Sequence, residues 1–195
     1  MVRKLTIVIP TMGKPCLQDC LKSIFDNVKP EEEFDLILVK NYKKGFSIPV
    51  NRGFKLADPE SDILLLNDDV IIEDPDFIKK LYEPIEKGEK DIGLVTYDLI
   101  KYQVGEKQLV RSSFAFLLFP KETIKKVGLL DEDYILSAQD MDYCYRISEI
   151  HKLRQIQVDI KVRHIGSQTV RDMDTPEIHN KDNKLFETKW FHGNS

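Results

Sequence analysis

Apolar residues along this chain come in short unbroken runs rather than clean alternations: 5–9, 36–39, 63–66, 92–96 and 116–119. Runs of that kind predict strands covered on both faces. A sixth strand is predicted over 156–162. Between the runs the pattern turns helical, over 15–27, 48–57, 75–87, 121–127 and 140–152. Pro15 and Pro75 suit the first turn of a helix, where a missing N–H costs nothing, and Pro49 suits the same place in the short middle helix. The order is βαβαβ, a further helix, and a less regular second half. It predicts an α/β chain with a mostly parallel, Rossmann-like sheet and helices on both faces. No linker, low-complexity stretch or repeat interrupts it, so a single domain over 1–195 is expected. The polar tail after Gln168 ends in Leu185-Phe186 and Trp190-Phe191, aromatics expected to dock it on the body.

Open α/β sheets bind ligands beyond the carboxyl ends of their strands. That places Pro10-Thr11-Met12-Gly13, Lys40-Asn41 and Asn67-Asp68-Asp69 at the candidate site, with the segments after the later strands. The last triplet follows a strongly apolar run at once. Two adjacent carboxylates there repel each other unless positive charge is near, and a divalent cation with diphosphate oxygens supplies it. The purely structural reading is a strand-to-turn transition. A second acidic pair, Asp140 and Asp142, falls in the first turn of a predicted helix, where carboxylates are favoured by the helix dipole. Capping explains it structurally; functionally, one carboxylate faces the cleft as a general base. His164 follows a strand and precedes Gly166-Ser167, a setting for a loop ligand to Mn²⁺-like metals. His151, His179 and His192 have no comparable context.

The formal charge is −4 and the pI about 5.6, which gives no general attraction to nucleic acid. No apolar run approaches the length of a membrane span, and the segment from Met1 to Ile9 is too short for a signal peptide. The three cysteines, Cys16, Cys20 and Cys144, do not form a secreted disulfide framework. A cytoplasmic protein, at most peripheral to a membrane, is expected. There is no Gly-rich dinucleotide fingerprint, Walker loop or serine nucleophile elbow, which disfavours nicotinamide redox chemistry, P-loop hydrolysis and the hydrolase triad.

In order along the chain, several segments resemble family 2-like glycosyltransferases of the GT-A fold. Thr6-Ile7-Val8-Ile9-Pro10-Thr11 is similar to the opening strand and nucleotide loop. Val50-Asn51-Arg52-Gly53 is similar to the Asn-x-Gly helix, and Leu65-Leu66-Asn67-Asp68-Asp69-Val70 to the DxD region. Phe119-Pro120-Lys121-Glu122 through Val127-Gly128-Leu129-Leu130-Asp131-Glu132 resembles the stretch before the catalytic helix. Gln139-Asp140-Met141-Asp142 resembles the ED motif, His164-Ile165-Gly166-Ser167 the late metal histidine, and Phe186 to Trp190 the closing aromatic-Lys-Trp element.

The resemblance implies a metal-dependent, inverting transfer of a sugar from a nucleotide-diphosphate donor to an acceptor hydroxyl. Asp69 and His164 would bind Mn²⁺ or Mg²⁺. Asp68 would lie beside the ribose or diphosphate, and Thr11, Asn51 and Arg52 would complete the nucleotide site. Asp140 would be the base, and Arg111 is expected near the diphosphate. The donor is a UDP-, GDP- or dTDP-sugar, and the acceptor a glycan, glycoprotein or glycolipid. Three departures stand out: Lys40-Asn41 where the family places an acidic residue, Asn67 at the first DxD position, and Gln139 for the Glu of the ED motif. No counterpart of the long C-terminal extension common in the family is expected within residues 1–195. Two alternatives stay open, a sugar-1-phosphate nucleotidyltransferase and a non-catalytic nucleotide- or glycan-binding module on the same fold.

Overall fold

The apolar runs become the strands of a six-stranded sheet. A computed structural model describes residues 4–41, 45–166 and 175–191. Met1 to Arg3, Ser167, Gln168 and His192, all considered above, lie outside the described residues. The first half holds β1 (Leu5–Thr11), α1 (Cys16–Asn27), β2 (Asp35–Lys40), α2 (Ser47–Leu56), β3 (Asp62–Leu66), β4 (Val70–Ile72), α3 (Phe77–Glu86) and β5 (Ile92–Thr96). The second holds β6 (Leu99–Val104), β7 (Lys107–Ser112), β8 (Phe116–Phe119), α4 (Lys121–Val127), α5 (Gln139–Tyr145), β9 (Arg154–Gln157), β10 (Val162–His164) and α6 (Pro176–Trp190).

The sheet order is β2-β1-β3-β8-β5-β9. Strand β1 runs parallel to β2 and β3, and β5 parallel to β9, while β8 is inserted antiparallel between β3 and β5. Successive β1 residues feed opposite faces. Ile7 and Ile9 join a core with α1 and α3, and Val8 joins one with α2, α4 and α5. That two-sided burial is why the strands read as runs. Helix α2 lies so close on β1 that a Cβ at Gly53 would overlap the Val8 side chain.

The expected strand over 156–162 is two strands in two sheets. Ile156, Val158, Ile160 and Val162 alternate as in a strand and stay turned to the core. The backbone nevertheless leaves β5 after Val158, whose N–H still bonds Thr96 O at 2.9 Å: the Ile160 N–H bonds Val158 O at 3.1 Å and the Lys161 N–H bonds Asp74 Oδ2 at 3.2 Å. The chain then pairs with β4 as β10. The expected helix over 140–152 is α-helical only to Tyr145 and widens into a π turn, Arg146–Ile150. The hairpin β6–β7 and helix α6 were not foreseen as elements. The aromatics of α6 do dock, with Phe186, Trp190 and Phe191 packing around Tyr145.

Candidate active site

The register of the parallel strands sets one edge of the sheet. Thr11 pairs with Lys40, and Val8 with Leu65, so the segments after β1, β2 and β3 emerge side by side. Reversed β8 pairs Phe116 with Leu66, which brings the residues before it to the same edge. The Asn67 N–H closes this junction on Ala115 O at 2.9 Å. A cleft of ≈ 350 Å³ opens there.

One wall is acidic. Asp68 and Asp69 are both buried. Asp68 Oδ2 accepts the Thr11 hydroxyl at 2.5 Å, and Thr11 Oγ1 accepts the Gly13 N–H at 2.8 Å. Pairing of His164 with Val70, across β10 and β4, carries the histidine to Asp69. His164 Nε2 lies 3.1 Å from Asp69 Oδ1, and the Ile165 N–H bonds Asp69 O at 3.0 Å. The Cys20 thiol registers the local field: burial, then the Asp68 and Asp69 charges, push it up to about 12.

Among the described residues no three His, Cys, Asp or Glu side chains converge as a complete metal cluster. Asp69 and His164 do converge, and a carboxylate oxygen beside an imidazole nitrogen suits a divalent ion of the Mn²⁺ type. In the same turn the buried Asn67 Oδ1 has no hydrogen-bond partner among the described residues. Two protein donors leave the remaining positions to substrate phosphate oxygens and water, so the residues fit such an ion.

The facing wall comes from α5 and the loop before it. Asp140 is 13% exposed, and its Oδ1 accepts the Met141 N–H at 2.8 Å. Its Oδ2 is bonded by Arg111 Nη1. Gln139, 8% exposed, donates to Leu136 O at 3.2 Å, and its buried Oε1 has no partner among the described residues. The loop holding Leu136 is folded around Asp182 of α6, which accepts the N–H groups of Ile135, Leu136 and Ser137 at 3.0, 2.8 and 2.9 Å. The Phe46 N–H bonds Ile135 O at 2.8 Å from the other side. Gly45 (φ +78°) approaches that same carbonyl too closely for any Cβ.

Asp68, Asp69, His164 and Asp140 thus line one cleft, with Thr11 tied to it through Asp68. Asn51 and Arg52 do not line it. Asn51 is buried behind the wall, with Nδ2 on Leu130 O and Glu132 Oε1 at 2.8 and 2.9 Å and Oδ1 accepting the Leu130 N–H at 2.9 Å. Its amide is spent fastening α2 to the stretch before α5. Arg52 points outward and is exposed. Phe46, Ser113, Phe114 and Leu136 line the cleft but were not singled out in the sequence. Three are apolar, and Ser113 and Phe114 precede an antiparallel strand, to which the carboxyl-end rule does not point.

No protein-family model matches the chain, and no curated protein matches it by sequence. Solved structures do. The catalytic domain of Drosophila β1,4-galactosyltransferase 7, in complex with xylobiose, matches with a TM-score of 0.67 at 16% identity, over 95% of this chain and 80% of that one. GalNAc-T7 with UDP, GalNAc and Mn²⁺ matches at 0.73 and 11% identity, over 98% of this chain. The Pyrobaculum calidifontis mannosyltransferase PcManGT with GDP-Man and Mn²⁺ matches at 0.60 and 14% identity, over 80% of this chain. The chain spans about half of the last two, 48% and 55% of their lengths. At these identities the likeness is one of architecture, and the chain has the GT-A fold of these glycosyltransferases.

Proposed function

We propose that this protein is a metal-dependent inverting glycosyltransferase, carried by a single domain over 1–195. The observation that carries the reading is one cleft lined by Asp68, Asp69 and His164 on one wall and by Asp140 on the other. Asp69 and His164 hold a divalent cation, Mn²⁺ ahead of Mg²⁺ because a nitrogen ligand is present. When bound, the ion supplies positive charge for the departing diphosphate. Thr11 and Asp68, joined by their hydrogen bond, form the floor for the nucleotide. Asp140 takes the proton of an acceptor hydroxyl as its oxygen bonds the anomeric carbon. The bond from that carbon to the phosphate oxygen breaks on the opposite side, releasing the nucleoside diphosphate with inversion. The structural neighbours were solved with UDP-Gal, UDP or GDP-Man, so UDP- and GDP-sugars come first as donors, then dTDP-sugars. A glycan, glycoprotein or glycolipid hydroxyl is the acceptor. The three free thiols accord with a cytoplasmic setting.

Calorimetric titration of UDP, GDP and dTDP, each with Mn²⁺ and then with EDTA, tests the site. Metal-dependent binding of one nucleotide supports the reading; folded protein that binds none of them sinks it. Asp69→Ala is expected to weaken binding in Mn²⁺ and to leave the EDTA value unchanged. Asp140→Asn is expected to lower transfer by ~10²–10⁴-fold while nucleotide binding stays as in the wild type.

A further inference from the structure

Asp140 does not stand in the cleft wall alone. Its two oxygens are each held by an N–H donor, Oδ1 by the Met141 amide and Oδ2 by the Arg111 guanidinium. We propose that Arg111 is the positioning residue of this site, fixing the Asp140 carboxylate in its cleft-facing geometry as an ion pair. The proposal rests on the reading of Asp140 as the base.

Arg111 arrives from an anchored strand. One position on, the Ser112 N–H bonds Cys144 Sγ at 3.3 Å and Ser112 Oγ bonds Gln155 Oε1 at 2.8 Å. One position back, Val110 O accepts Gln155 Nε2 at 3.1 Å. Strand β7 is therefore tied to both α5 and β9 around Arg111. A guanidinium so placed is pre-organised for a carboxylate, and its planar fork holds direction as an ammonium does not.

The surrounding charges are committed elsewhere. On the far side of α5, Arg146 and Lys189 bond Asp142. Lys107 of β7 lies over the Phe191 ring at 5.7 Å. Tyr102 of β6 and Cys144 of α5 both feel the Arg111 charge, and burial keeps the phenol and the thiol neutral. Across the cleft stand Asp68, Asp69 and His164. Gln139, which also lines the cleft, donates to Leu136 O, as a carboxylate could not, and adds no second negative charge to this wall. Each Asp140 oxygen keeps a second lone pair for the acceptor proton.

The test has two arms. In the first, the side-chain carboxyl ¹³C resonance of Asp140, assigned by its loss in Asp140→Asn, is titrated in ligand-free wild type, Arg111→Gln and Arg111→Lys. The midpoint is expected to rise by about one to three pH units in Arg111→Gln and to return part of the way in Arg111→Lys. An unchanged midpoint, with Trp190 fluorescence showing an intact fold, overturns the proposal. In the second, turnover of UDP-, GDP- and dTDP-sugars with Mn²⁺ is followed with water as acceptor. Arg111→Gln is expected to lower kcat by about 10–10²-fold with KM for the donor unchanged. A raised KM with kcat preserved assigns Arg111 to the diphosphate and overturns the proposal. A moved midpoint in a wild type that turns over no nucleotide sugar supports the pairing and removes the transferase reading instead.

Discussion

Helix α5 carries two carboxylates two positions apart whose surroundings could hardly differ more. Asp140 faces the cleft, partly exposed, with one cation and one backbone N–H. Asp142 is fully buried on the opposite side, where Arg146 Nε, Lys189 Nζ and Trp190 Nε1 bond it at 2.9, 2.8 and 2.9 Å. One carboxylate keeps lone pairs for a substrate; the other has them filled by the protein. Buried charge that is fully paired fixes where elements sit, and charge left accessible does chemistry. The sequence Asp-Met-Asp alone makes no such distinction, because the direction of each side chain is set by what packs on either side of the helix.

The contrast is open to attack, starting with its buried half. Asp142→Ala strands Arg146 and Lys189 without a counter-charge and is expected to cost about 3–5 kcal/mol in a urea unfolding experiment. Asp182→Ala removes the acceptor of three loop N–H groups and is expected to cost about 2–3 kcal/mol, with the loop around Leu136 losing amide-exchange protection first. Asp140→Asn, by contrast, is expected to cost only about 1–2 kcal/mol, since it breaks one partly exposed ion pair and strands a single cation. Equal losses for Asp140→Asn and Asp142→Ala would abolish the distinction.

The smallest effect is a pH window for the docking of α6. Burial opposes the Lys189 charge, yet its bonds to Asp131 and Asp142 raise its pKa above the ordinary 10.5. Its contribution is full below pH 10.5 and is lost as pH rises through the folded value. Burial likewise opposes ionisation of Asp131, and the Lys189 bond brings its pKa below 3.8. That contribution is present above pH 3.8 and is lost as pH falls through the lower folded value. Trp190, the only tryptophan, donates to Asp142 and reports on both. Its fluorescence is expected to be flat between pH 3.8 and 10.5 and to change on either side.

The sheet was legible because β1, β3, β5 and β8 are apolar runs, and a run says that both faces are covered; β2 reads the same way although at the sheet edge its Leu38 is exposed. The acidic wall was legible because Asp68 and Asp69 follow such a run directly. Of the facing wall only single residues such as Asp140 were legible; its shape and the Arg111–Asp140 pairing were not, for two reasons. Its backbone is shaped by Asp182, an ordinary acidic residue in a polar helix, whose three backbone partners leave no pattern in the sequence. Its cation, Arg111, belongs to a hairpin of mixed polarity, and the reversed direction of β8 brings that hairpin to the cleft. Asn51 shows the converse. A residue in a motif-like helix is turned away from the cleft because Leu130 and Glu132 satisfy its whole amide. Local patterns carry burial well and carry side-chain partners poorly when those partners lie far along the chain.

The wrapping of residues 135–137 around Asp182 also bears on timing during synthesis. A growing chain can pair β1, β2 and β3 as soon as they have emerged, since those contacts need nothing downstream. The wall holding Leu136, Gln139 and Asp140 has no such freedom. Its loop has N–H groups that stay without their buried acceptor until α6 has left the ribosome and folded back. The cleft is therefore completed after its sheet, by a helix that follows the wall in the chain, and a nascent protein with a finished sheet still lacks one side of its site.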